Sequence, residues 1–77
     1  PAMYETNVLI NMPSNSTNAK LKLYDSYNTL QVLQEHSLKA GDNVVNIDVS
    51  TYSSGLYTFV VEVDNQVVAS KHLVVIN

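Results

Sequence analysis

The chain has no cysteine. That removes disulfides, thiolate chemistry and cysteine-ligated metal sites together. A domain of 77 residues without such a staple must stand on its own core, a neighbouring domain or a partner. A core of this size leaves a net stability of only about 3–5 kcal/mol. Arginine is absent as well, and four lysines against seven acidic residues give a net charge of −3. Phosphate recognition leans on the guanidinium fork and nucleic-acid binders carry a basic stripe, so no nucleic-acid partner is expected. No apolar run approaches the roughly 20 residues that span a bilayer, and no transmembrane segment is expected. No signal peptide is legible either. Glycine occurs only at positions 41 and 55, so each one has to be explained.

What the chain does have is β chemistry. Twelve valines, three isoleucines, five threonines and five tyrosines stand against four alanines, and branched and aromatic side chains suit a pleated, half-buried surface. Nine asparagines supply turns. Residues 1–3, "PAM", read as a cloning remnant, and residues 4–77 as a single domain cut from a longer protein.

Alternation places the strands. "NVLINM" (7–12) puts Val8, Ile10 and Met12 on one face. After the turn residues "PSNSTN" (13–18), "AKLKLYD" (19–25) sets Ala19, Leu21 and Leu23 against Lys20, Lys22 and Tyr24, the period-2 pattern of a strand with one wet face. "TLQVLQEHSL" (29–38) is less regular, and a bulge or bend is predicted near Leu33. "KAGD" (39–42) turns around Gly41. "NVVNIDVS" (43–50) follows, with Val45, Ile47 and Val49 inward. "LYTFVVEV" (56–63) aligns Tyr57, Phe59, Val61 and Val63, "DNQ" makes a hairpin turn, and the apolar end of "VVASKHLVVI" (67–76) suits a strand buried on both faces. Six or seven short strands at this spacing predict an all-β, antiparallel Ig-like β-sandwich, and no window supports a helix of normal length. In "YSSGLY" (52–57), serines that bond their own backbone end one strand, and Gly55 allows a positive φ before the next begins.

Recognisable chemistry is missing. His36 and His72 are the only histidines, and there is no HExxH, GxSxG or calcium-loop spacing. No metal, no cofactor and no catalytic residue is expected. Asp42, Asp48, Glu62 and Asp64 read as exposed sheet carboxylates, with Asp64 in a turn. "NST" (15–17) matches the N-glycosylation acceptor, a match that is common by chance. Tyr24, Tyr27 and Tyr52 are an aromatic set that could face a sugar or simply pack at strand rims.

The order of several stretches carries a resemblance: "LKLYD" (21–25), "LKAGDN" (38–43) before "VNIDV", "YSSGLYTFVVEV" (52–63) and "QVVASKHLVVI" (66–76). Together they resemble the type A C-terminal sorting domain of type IX secretion cargo, the Por secretion tail of Bacteroidota. The most specific parts are Gly55 with Tyr57 and the stretch Lys71–Val75. Tyr52 departs from the family's usual leucine and Asn28 from its usual glycine, and the opening Pro-Asn-Pro element is not in this sequence. The resemblance implies a non-catalytic signal that directs a cargo protein through the periplasm and outer membrane to the cell surface or medium. Its partners would be the outer-membrane secretion machinery and a sortase-like peptidase. The implied recognition residues are Gly55, Tyr57, Lys71, Leu73, Val74 and Val75, although Tyr57 and Val75 also suit plain core positions. Self-association through edge strands is a further expectation. The rival readings are an Ig-like structural spacer and a carbohydrate-binding accessory module.

Overall fold

The alternating stretches form six strands. They are β1 (Glu5–Met12), β2 (Ser16–Tyr24), β3 (Leu30–Leu38), β4 (Gly41–Asp48), β5 (Gly55–Val63) and β6 (Gln66–Val75). The computed structural model describes residues 5–77, so the remnant expected at residues 1–3 lies outside the described residues. No helix occurs among the described residues. A two-stranded antiparallel sheet, β1–β4, packs on a four-stranded antiparallel sheet ordered β3-β2-β5-β6. The β2–β3 and β5–β6 hairpins stay within one sheet, whereas the other three connections cross between sheets. The result is an Ig-like sandwich.

The inward set follows the period-2 reading closely. Val8, Ile10, Met12, Val45 and Ile47 meet Ala19, Leu21, Leu23, Tyr57, Phe59 and Val61 in one buried cluster, closed by Leu38, Val49 and Val75. Val63, at the end of β5, is only partly buried. No buried side-chain polar atom among the described residues lacks a hydrogen-bond partner.

Three local expectations shift. The turn expected over residues 13–18 is shorter, because β2 already begins at Ser16. The irregularity expected near Leu33 falls two residues earlier: Leu23 pairs with Val32 and Tyr24 with Leu30, leaving Gln31 as the extra residue. Gln31 donates its side-chain amide to Asp25 in the β2–β3 connection, so the extra residue falls at the end of the ladder, where it disturbs pairing least. The reading of the last strand as buried on both faces is overturned. β6 is an edge strand, with Val67 and Val74 exposed. A continuous valine run marks either a central strand or an edge strand with a greasy outer face, and composition alone cannot distinguish them.

The turns are chemically specific. Asp64 (φ 52°) and Asn65 (φ 64°) form the two-residue β5–β6 loop, both left-handed, as a type I′ hairpin requires. Gly41 (φ 88°) opens β4 in a conformation that disfavours any side chain on Cβ. Gly55 has the expected positive φ, 157°, a conformation that side chains rarely adopt.

Candidate recognition surface on the last hairpin

The β5–β6 register gathers the expected recognition residues. Gly55 pairs with Val75, Leu56 with Val74, Tyr57 with Leu73 and Phe59 with Lys71. Alternation then divides them. Tyr57 and Val75 are buried and Leu73 is half-buried against the core, whereas Val74 is 68% exposed and its cross-strand neighbour Leu56 is 51% exposed. The six residues therefore do not form one surface. The outward member, Val74, is completed by Leu56, which the sequence reading passed over. Its outward direction could have been read from its place one step out of phase with Tyr57 and Phe59.

Below the hairpin, the β4–β5 connection is built as a clasp. The Tyr57 hydroxyl donates to the Ser53 carbonyl at 2.7 Å, four residues upstream, which is the tyrosine-corner geometry of Ig-like sandwiches. The Tyr52 ring leans on Tyr57 with centroids 6.0 Å apart at 38°, within the range of favourable aromatic contacts. The side-chain amide of Asn77 donates to the Val49 carbonyl (2.9 Å) and to the Tyr52 carbonyl (2.6 Å). The Asn77 backbone N–H donates to Ser54 Oγ (2.8 Å), and Ser54 Oγ donates to the Asn77 backbone oxygen (2.9 Å). Asp48 Oδ1 accepts the Ser50 N–H at 2.9 Å. That bond holds the Asp48 carboxyl below its ordinary pKa. "YSSG" is thus the seat that receives the residue after the last strand. Nothing in the sequence singles out Asn77, because its side-chain amide bonds backbone carbonyls more than twenty positions away.

Lys71 has a different task. It lies opposite Phe59, on the inward side of an edge strand, and its ammonium donates to the Leu9 carbonyl of β1 at 3.0 Å. β1 pairs only with β4, so Lys71 ties the open side of the small sheet to the edge of the large one. A groove of about 350 Å³ runs along this seam, with Ile10, Phe59, Val61 and Ala69 in its lining.

The outward face of the large sheet changes character along its length. At one end Lys22 and Glu62 form an ion pair at 3.0 Å, and this hydrogen bond raises the Lys22 pKa. In the middle, Thr58 Oγ1 and His72 Nδ1 lie 3.4 Å apart. At the other end stand Leu56 and Val74, with exposed Ile76 beyond them. Among the described residues the only side-chain hydrogen-bond partner of His36 is Gln34, at 3.0 Å, and the two histidines are on different elements. No cluster of three potential metal ligands occurs among the described residues.

Residues 1–76 match the family described as "Secretion system C-terminal sorting domain". The chain belongs to that family. No curated protein and no solved structure matches it. Membership fits two features that set this sorting domain apart from the usual pattern. Asn28, in the place of a glycine, has φ 63°, and asparagine is the side chain that enters the left-handed region at least cost after glycine. Tyr52, in the place of a leucine, packs against the core and so keeps the apolar role.

Proposed function

We propose that this sorting domain is a non-catalytic export signal. Its folded form directs an attached cargo through the type IX machinery and across the outer membrane to the cell surface or medium. The observation that carries this reading is the family match over residues 1–76, essentially the whole chain. The geometry of the last hairpin supports a division of labour within the signal. Tyr57, Leu73 and Val75 hold the hairpin in place, Gly55 begins it, Lys71 ties its middle to β1, and the outward pair Leu56 and Val74 is left for the machinery to read. Processing by a sortase-like peptidase would follow delivery.

The test is a fusion of residues 1–77 to the end of a fluorescent protein that carries a periplasmic export signal, expressed in a host with a working type IX system. Fluorescence should reach the surface or the medium. A folded fusion that stays in the periplasm of a host exporting its own cargo would leave the domain as a structural spacer.

A further inference from the structure

At the end of the sandwich beside the β4–β5 corner, a recess of about 260 Å³ is lined by Tyr27, Gln31, Thr51, Tyr52, Ser53 and Ser54, among others. We propose that this recess binds a neutral saccharide, with the Tyr27 ring as its stacking platform.

The first support is the way Tyr27 is held. Its loop is fixed at every step. The Asp25 N–H donates to the Thr29 carbonyl and the Asn28 N–H to the Asp25 carbonyl, both at 3.0 Å. Asp25 Oδ1 accepts the N–H groups of Tyr27 and Thr29 at 2.9 Å, and Oδ2 accepts the Gln31 amide at 3.0 Å. The left-handed Asn28 closes the turn. On this rigid frame the Tyr27 side chain is 88% exposed. A lone exposed aromatic residue is ordinary, but one whose backbone is held on a locked turn, at the rim of a polar recess, has already met the loop-ordering part of the cost of binding.

The second support is the chemistry around the ring. The lining contains no lysine or histidine, and its one charged side chain, Asp25, is already occupied by three hydrogen bonds. An anionic ligand would find no cation there. A sugar ring would find what it needs: an aromatic face for its C–H surface, and hydroxyl and amide groups for its hydroxyls. The Tyr52 hydroxyl lies 3.5 Å from the Gln31 carbonyl, too far for a firm bond, so it is free to engage a ligand. Burial raises its pKa, and the hydroxyl keeps its proton. Gln31 retains its side-chain oxygen, because only its NH2 group is used within the loop. A recess of this volume suits one ring rather than a long polymer, since sites for larger ligands run from about 300 Å³ upward. This site does not depend on the export reading, because it shares no residue with the outward face of the last hairpin except Leu56 at its margin.

The test is an amide-resolved NMR titration of the whole 1–77 chain with glucose, galactose, mannose and N-acetylglucosamine, alongside glucuronate and a short alternating Val-Thr peptide. Saturable shifts at Tyr27, Gln31 and residues 51–54 are expected from at least one neutral sugar, in the millimolar range usual for a single exposed ring, about 1 mM or weaker. Tyr27→Ala should weaken that binding roughly fivefold to tenfold while leaving the melting temperature nearly unchanged, since Tyr27 is 88% exposed. The proposal is overturned if no neutral sugar gives saturable shifts, if Tyr27→Ala leaves the affinity unchanged, or if the peptide or glucuronate shifts these amides and the neutral sugars do not.

Discussion

The two faces of the β5–β6 hairpin share one backbone and one register, yet they carry opposite burdens. Inward, Tyr57, Phe59, Val61 and Val75 are each no more than 6% exposed and belong to the core. Outward, Leu56 and Val74 form an apolar pair that the fold leaves in water. Natural sheets usually blunt an edge with charge, as Lys71 does on the inward side of β6. The outward end of the same strand has no such guard. The contrast teaches that the strand bearing the family's most specific residues is held by one face and displayed by the other. A motif of this kind mixes residues that hold the hairpin with residues that the fold leaves exposed.

The comparison breaks most violently from the inside. Phe59 is among the largest fully buried side chains, and Phe59→Ala should cost about 3–5 kcal/mol. That equals the whole net stability expected of a domain this small, about 3–5 kcal/mol. Chemical denaturation should find it largely unfolded without denaturant.

The glycines come next. Gly41→Val places a branched residue at φ 88° and should cost more than about 1 kcal/mol. Gly55→Val also meets open space, but φ 157° is a conformation that side chains rarely adopt, so it too should cost more than about 1 kcal/mol. An unchanged melting temperature in either variant would show that its glycine is there for a reason other than conformation.

The clasp is a smaller effect. Asn77→Ala removes two side-chain hydrogen bonds to the Val49 and Tyr52 carbonyls and should destabilise by about 1–2 kcal/mol. Tyr57→Phe, which removes only the bond to Ser53, should cost about 1 kcal/mol. Because both hold the same corner, the double variant should lose less than the sum of the two single changes.

A pH effect should be the smallest. The Asp48 pKa is lowered, chiefly by the Ser50 backbone N–H. A carboxylate with a depressed folded-state pKa adds stability above its ordinary pKa and loses it as the pH falls through the folded value. Melting temperature should therefore fall in acid, and Asp48→Asn should flatten part of that slope by lowering the neutral value toward the acid one.

Much of the sandwich was legible because its strands alternate so cleanly. Val8–Ile10–Met12 and Leu21–Leu23 could hardly face any other way, and the Asp64–Asn65 turn declared itself by residue type. The reading failed where period 2 carries no information. The valine-rich end of β6 could not say which of its faces had a neighbouring sheet, and only the strand order settled that it lies at an edge. The bulge moved from Leu33 to Gln31 because register depends on the partner strand as well as on the bulged one. For the candidate surface, Tyr57 and Val75 were readable as core, and Val74 was placed correctly in the hairpin. Leu56 and Asn77 were missed. The first looked like one more residue of an apolar run, and the second acts through distant backbone carbonyls and the Ser54 hydroxyl.

The division of the hairpin into a holding face and a read face is tested most directly by Leu56→Ser combined with Val74→Ser in the exported fusion. Both side chains are more than half exposed, and exposed substitutions usually stay within about 0.5 kcal/mol each, so the domain should melt close to the parent. The expected result is a folded, fluorescent fusion that accumulates in the periplasm while the unaltered fusion reaches the surface. Export of the double variant at the parent level would contradict the assignment of the outward pair as the surface that the machinery reads.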